Sequence, residues 1–320
     1  MFGKYSIGID LGGTNIVAAV VDDTGKILVK TEAPTRAGRS YEAILADMAN
    51  LAESAVKQSG IPFENIHSAG IGSPGSVNKS TGIVEFSSNL RWENKPLKKD
   101  LEQALNLPVY IENDANAATF GEYTVGAAKG YDTAIAVTLG TGVGGGMVQN
   151  GKIYAGANFA ALEIGHMVII KRGRPCLCGR RGCFERYASA TGLITTTKEF
   201  MDAYPSSMLW EMTDGNPENL DGKIPFDAMK FGDEAAEKAV ESFMDSLACG
   251  LTNLINILQP DIITIGGGLS NEGETLLAPV REKIASEVYT RNSKINTKIA
   301  KGALGAHAGV IGAANLYLEQ

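Results

Sequence analysis

The sequence predicts a two-lobed α/β protein, on three observations. Its 320 residues, 44% of them hydrophobic, exceed what one hydrophobic core usually organises, so two lobes flanking a cleft are expected. Strand-like apolar runs alternate with amphipathic helical patterns along the chain. One strand-turn-strand pattern occurs twice, in stretches 5–27 and 133–153: each opens with an apolar strand, passes a Leu-Gly turn and closes on Gly-Lys-Ile.

Tyr5 to Asp10 reads as a buried strand, the glycines after it as a tight turn, and Asn15 to Val21 as a second strand running into the turn Asp22-Asp23-Thr24-Gly25. The same order returns as Thr133 to Gly140, the glycine-rich Thr141 to Gly146, Met147-Val148 and the turn Gln149-Asn150-Gly151. This is read as an internal duplication: two related sheets, each starting with a hairpin whose loop faces the common cleft. Tyr41 to Ser59 has helical spacing and stops at Gly60 and Pro62, and Phe231 to Leu258 is the longest helical pattern. Val109 to Glu112 and Asp261 to Ile265, each preceded by Pro, are short strands that run into polar or glycine residues. Such strand ends hold ligands in open α/β sheets. With no low-complexity linker, crossings near 114–118 and 300–305 divide the chain. They give a smaller lobe of residues 1–116, joined by a returning helix of about 304–320, and a larger lobe of residues 117–303.

The net charge of −7 is scattered, with no Lys/Arg block to track a phosphate backbone, which argues against nucleic acid as a partner. No uninterrupted apolar stretch reaches the roughly 18 residues of a membrane span, and Met1 to Asp10 lacks the apolar core of a secretory signal. A soluble cytoplasmic protein is expected. Three of the four cysteines fall within eight residues, a poor disulfide framework and a good metal cluster for a reducing compartment.

Asp10-Leu11-Gly12-Gly13-Thr14-Asn15 sets a carboxylate at a strand end, then glycines whose N–H groups can approach an anion. It reads as a phosphate loop with Asp10 available to hold Mg²⁺ through water; an ordinary Gly-Gly turn is the alternative. Gly140, Thr141, Gly142 and Gly144 form a second such loop, and Gly266-Gly267-Gly268 a third. Three glycine loops at strand ends suit a nucleoside triphosphate, but neither a Walker loop nor a dinucleotide fingerprint is present. Asn113 and Asp114 sit where a strand gives way to a helix. A plain helix N-cap explains them; the functional reading makes Asp114 the base that takes a proton from a sugar hydroxyl while Asn113 fixes its neighbour. His166, Cys176, Cys178 and Cys183 form a Cys₃His set with glycines at the turns, which fills a tetrahedral Zn²⁺ and marks a structural site. Glu163 and Glu185 would be carried by that braced loop to hydroxyl-rich ligands, or are simply surface glutamates. Cys249 is read as a core thiol.

Together, Asp10-x-Gly-Gly-Thr-Asn15, Ser73-Pro-Gly-x-Val77, Glu112-Asn-Asp-Ala-Asn116, Leu139-Gly-Thr-Gly-x-Gly-Gly145, Glu163-x-Gly-His166, the Cys176-x-Cys-Gly-x-x-Gly-Cys-x-Glu185 run and Ile265-Gly-Gly-Gly268 resemble the ROK family (repressors, open reading frames, kinases) over essentially the whole chain. The likeness is greatest to its bacterial glucose-phosphorylating members. The resemblance implies a ribonuclease-H-like fold of the actin, hexokinase and Hsp70 superfamily, ATP with Mg²⁺, transfer to the 6-hydroxyl of glucose, and a dimer. It also implies Asp114 as catalytic base and a sugar held by Gly75, Asn78, Asn113, Asp114, Glu163, His166 and Glu185. Family members often read Gly-x-Ala-Gly-Glu before the glutamate, whereas here Phe159 and Leu162 stand at the glycine positions. A turn that needs φ > 0 there would displace Glu163.

Other readings make different predictions. A kinase for mannose, allose, N-acetylglucosamine or N-acetylmannosamine differs by one hydroxyl or acetamide that no motif announces. A sugar-responsive repressor would carry a helix-turn-helix of about 60–80 residues before the first glycine loop, which here begins at residue 10. A chaperone-like ATPase would not need the Glu163, His166 and Glu185 group.

Overall fold

The computed structural model describes residues 4–319; the N-terminal reading from Met1 and the expected lobe limit at Gln320 extend to residues outside the described ones. The first sheet is built from β1 (Tyr5–Leu11), β2 (Asn15–Asp22), β3 (Ile27–Pro34), β4 (Ile66–Ser73) and, later in the chain, β8. Between them run helix α1 (Tyr41–Ser59), the small sheet β5 (Ser76–Asn78), β6 (Ile83–Ser87) and β7 (Trp92–Lys95), and helix α2 (Leu97–Leu105). Strand β8 (Val109–Asn113) leads into α3 (Asp114–Thr124). The second sheet comprises β9 (Thr133–Leu139), β10 (Val143–Gln149), β11 (Lys152–Ile153), β12 (Ile262–Gly266) and β13 (Lys298–Lys301). Helices α4 (Glu185–Ala188), α5 (Ala190–Ala203), α6 (Leu209–Met212), α7 (Ile224–Lys230), α8 (Glu234–Leu258) and α9 (Glu274–Glu287) precede the last helix, α10 (Ala308–Asn315).

The sheet orders are β3-β2-β1-β4-β8 and β11-β10-β9-β12-β13. Matched position by position, the two sheets repeat one plan, as the duplicated hairpins predict. β1 is antiparallel to β2 and parallel to β4, and β4 is parallel to β8.

Contacts divide the chain into two compact units: one comprises residues up to Ala136, Gly146–Leu162 and the chain from Gly302 on; the other comprises Val137–Gly145 and Glu163–Lys301. In the first unit both faces of the sheet are apolar, as strands covered on two sides require. Ile16, Ala18 and Val20 join Ile44, Met48 and Ala52 of α1 in one core cluster, while Ala19 and Val21 of the same strand pack on Val310, Ile311 and Ala314 of α10. Helix α10 sits very close: a Cβ at Gly70 would lie 2.8 Å from the carbonyl carbon of Ala313, and one at Gly312 would lie 2.6 Å from that of Ala117 on α3. Glu122, 5% exposed, fixes the chain where it enters this layer. Its carboxylate accepts hydrogen bonds from the N–H groups of Ala127 (2.9 Å), Ala303 (3.0 Å) and Leu304 (2.9 Å).

The second unit is organised by α8 against α5, α7 and α9. The helix expected over Phe231 to Leu258 forms as α8, starting three residues later, at Glu234. Gly232 at φ 80° ends α7, and Asp233 caps α8 by accepting from the N–H of Ala236 at 2.9 Å. Cys249, expected as a core thiol, is only half-buried on α8. Among the described residues no helix is long and apolar enough to cross a membrane.

Candidate active site

In the first unit three parallel strands end side by side. Their register aligns Asp10 with Gly72 and Gly72 with Glu112, so the strand ends present Asp10, Ser73 and the Asn113-Asp114 pair together. Gly72 is tightly enclosed: a Cβ there would lie 3.1 Å from the Cβ of Ala117 and 3.3 Å from the Cα of Asp114. The cap and the first helical position fall to different side chains at the turn. Asn113 is the N-cap: its Oδ1 accepts from the N–H of Ala115 (2.9 Å) and Asn116 (3.2 Å), and its amide donates to the Gly75 carbonyl at 3.1 Å. Asp114 takes the first helical position, where its Oδ1 accepts from the Ala115 N–H at 2.9 Å.

Burial raises the pKa of Asp114, against the lowering effect of the Ala115 N–H and the Asn113 amide. Asp10 is pushed up to about 6, first by burial and then by the negative charge of Asp114. Two carboxylates at neighbouring strand ends, one raised by the other's charge, fit a divalent cation held by Asp10. Gly309 of α10 leaves the room: a Cβ there would lie 2.8 Å from the Asp10 carboxyl carbon.

The loop after β1 is tied by Thr35, a fully buried residue that sequence patterning does not single out. Its N–H donates to the Thr14 carbonyl and its hydroxyl to the Gly12 carbonyl, both at 2.7 Å, while the Gly12 N–H donates to the Asn15 carbonyl at 2.9 Å. Gly13, Thr14 and Asn15 remain exposed. Gly75 adopts φ 108°, and a Cβ there would lie 2.9 Å from the Cα of Ser87. The Asn78 side chain is engaged within its own turn, donating to Glu85 at 2.9 Å and accepting from the Thr81 N–H at 3.1 Å.

In the second unit the loops after β9 and β12 lie together. Gly267, at φ 81°, backs onto Leu139, where a Cβ would come within 2.6 Å of the carbonyl carbon, and Gly266 and Gly268 flank it. The Gly140 N–H donates to the Gly142 carbonyl at 3.0 Å, with Thr141 at the tip, and the Gly140 carbonyl accepts from Ala190 at the start of α5 at 2.9 Å. Gly144 lies within β10. A Cβ on Gly142 would lie 2.8 Å from Glu185 Oε2, so this loop runs directly against that carboxylate.

His166, Cys176, Cys178 and Cys183 converge, with one ligand atom from each lying within 4.8 Å of the others. His166 Nδ1 is 3.7 Å from Cys176 Sγ, and Cys178 Sγ is 3.6 Å from Cys183 Sγ. These separations match the edges of a tetrahedron with arms of about 2.3 Å, so the donor set fits Zn²⁺. Turns at Gly179 (φ 86°) and Gly182 (φ 80°) shape the cluster, and Arg180 donates to the His166 carbonyl at 3.0 Å. Glu185 Oε1 lies 3.1 Å from Cys176 Sγ and 3.7 Å from His166 Nδ1.

The turn before Glu163 does need left-handed backbone, and the two non-glycine residues adopt it: φ is 59° at Phe159 and 64° at Leu162. Each costs roughly 1–2 kcal/mol relative to glycine. Glu163 still leads directly into the short 3₁₀ turn Ile164–His166.

Because the folded state binds the Asp10 proton more tightly than the unfolded chain, ionising Asp10 costs stability above about pH 6, and the cost vanishes below pH 3.8. Asp10→Asn should therefore stabilise the metal-free protein at pH 7.5 by roughly 2–3 kcal/mol in urea unfolding, with the gain lost near pH 3.5. Metal analysis of the purified protein should find one Zn²⁺ per chain, and Cys176→Ser should remove it and lower the thermal midpoint.

The family model of the ROK family matches residues 6–320. A glucokinase from Thermotoga maritima is 39% identical over 316 residues, 98% of this chain and 97% of that protein. A xylose repressor from Caldicellulosiruptor bescii is 33% identical over 96% of this chain, which covers 76% of that protein. Among solved structures, a ROK family glucokinase from Streptomyces griseus in complex with glucose and AMPPNP superposes with a TM-score of 0.81 at 35% identity, covering 98% of each chain. On the family match over residues 6–320 and the relatives of similar length, this chain belongs to the ROK family.

Proposed function

We propose that this chain is an ATP-dependent glucokinase, transferring the γ-phosphoryl group of ATP to the 6-hydroxyl of glucose. The observation that carries the proposal is the paired Asp10 and Asp114 at neighbouring strand ends, with the capping duty taken by Asn113. The glucose and AMPPNP bound by the Streptomyces griseus relative support both substrates.

Asp114 accepts the proton as the sugar oxygen attacks the γ-phosphorus, the bond to the β,γ-bridging oxygen breaks, and ADP leaves. Its raised pKa makes it a stronger base than an exposed carboxylate. Asn113, Glu163, His166 and Glu185 orient the sugar hydroxyls, Gly75 holds the Asn113 amide, and Asn78 braces the adjoining turn. Gly12, Gly13, Thr14 and Asn15, with Gly140, Thr141, Gly142 and Gly144 and with Gly266, Gly267 and Gly268, receive the nucleotide through backbone N–H groups. Bound Mg²⁺ supplies neutralisation of the phosphate charge, and Asp10 is the residue to hold it through water. The Cys₃His cluster with Zn²⁺ braces the segment that carries His166 and Glu185. The enzyme works in the cytoplasm as a homo-oligomer, a dimer by family resemblance, with neither nucleic acid nor membrane as partner.

A coupled ADP-release assay with ATP and Mg²⁺ against glucose, mannose, fructose, allose, N-acetylglucosamine and N-acetylmannosamine tests the reading. The expected result is a kcat/KM for glucose at least about tenfold above every other sugar. Preference for another hexose would keep the reaction and overturn the substrate, and no sugar-dependent turnover would overturn the kinase reading.

A further inference from the structure

The Asn113-Asp114 turn rests on a carboxylate that sequence reading left unassigned. Glu112, the penultimate residue of β8, is 1% exposed. Its Oε1 accepts from the Asn113 N–H at 2.8 Å and from the Asn116 side-chain amide at 3.0 Å, so one oxygen grips the chain on both sides of Asp114. Its Oε2 is buried without a hydrogen bond and faces the Lys79 ammonium at 3.4 Å. Lys79 comes from the turn after β5 and also pairs with Glu319, in the 3₁₀ turn Leu316–Glu319 that follows α10. Glu319 in turn accepts from the Ile153 N–H of β11 at 3.1 Å. All of these residues belong to the first unit.

We infer that Glu112 is a positioning residue for the phosphoryl transfer: it fixes the backbone path that aims Asp114, and Lys79, anchored by Glu319, is the counter-ion that keeps it in place. This inference rests on the proposed role of Asp114. A buried carboxylate is costly unless it is paired and hydrogen-bonded. Here two hydrogen bonds are spent on the one turn whose direction sets the base, and the remaining charge is met by a single ammonium. Capping of α3 is already supplied by Asn113, so the Glu112 interactions are surplus to helix formation and serve the position of the turn. The register that sets Glu112 opposite Gly72, itself opposite Asp10, carries the same constraint to the other carboxylate.

The test is a double-mutant cycle of Glu112→Gln and Lys79→Met, reading kcat, KM for glucose and for ATP, and the thermal midpoint, with active protein counted by ATP binding. Glu112→Gln should lower kcat by roughly 10–100-fold with KM for ATP within about twofold, since misaimed groups cost rate and not nucleotide affinity. Lys79→Met should lower kcat by about tenfold or more in the wild-type background, yet by less than about twofold on top of Glu112→Gln, because the neutral amide needs no counter-ion. Should Glu112→Gln fail to fold, Lys79→Met against Lys79→Arg decides, the arginine variant holding kcat within about threefold of wild type. Folded Glu112→Gln or Lys79→Met protein with wild-type kcat, or additive losses in the cycle, would overturn the inference. A wild-type enzyme without sugar turnover would instead sink the kinase reading on which it rests.

Discussion

The close seat of α10 on the first sheet and on α3 is the constraint that everything else in the first unit depends on. Carbonyl groups of α10 approach places where Gly8 and Gly70 lack side chains, and its own Gly312 meets the backbone of Ala117. At such separations the layers are locked by backbone contact, and a single added methyl group would force them apart. Because β1, β4 and α3 are all held against one helix, Asp10 and the Asn113-Asp114 turn are fixed on a common support. Gly72 and Gly309 then leave the space in which two carboxylates come near each other. The electrostatic consequence, a carboxyl at about 6 on Asp10, follows from that packing.

Much of this was legible in the sequence because it is written in local chemistry. Strand periodicity gave the duplicated hairpins, glycines marked the loops, and four soft ligands within eighteen residues marked the metal cluster. Helix α1 fell between its expected limits since Ser40 caps one end and Gly60, at φ 69°, the other. What escaped is long-range. Thr35 and Glu122 look like ordinary polar residues, and only tertiary contacts reveal that they tie down the loop after β1 and the re-entry of the chain at residue 302. Glu112 lies within the Glu112-Asn-Asp-Ala-Asn116 motif, but its partners Lys79 and Glu319 are remote in sequence, so nothing local marks it. The start of α8 at Glu234 rather than Phe231 was local and readable, in Gly232 and the Asp233 cap, but apolar spacing ran through it.

Phe159 and Leu162 show where physical reasoning from sequence stops at a conditional. A side chain at a glycine position signals either a changed turn or a strained one, and composition cannot choose. The structure shows strain accepted, with positive φ at both residues, so the path into Glu163 is retained at a cost carried by the rest of the loop. Strain stored beside Glu163, which we propose holds the sugar, is a natural place for sugar preference to be tuned.

The central claim is that Asp114 is the base and that its neighbours do the holding. Calorimetric titration of glucose into Asp114→Asn, alongside its steady-state turnover, tests that division most directly. The account predicts glucose affinity within about fivefold of wild type and a kcat reduced by roughly 10³-fold. A variant that turns over within about tenfold of wild type would contradict it.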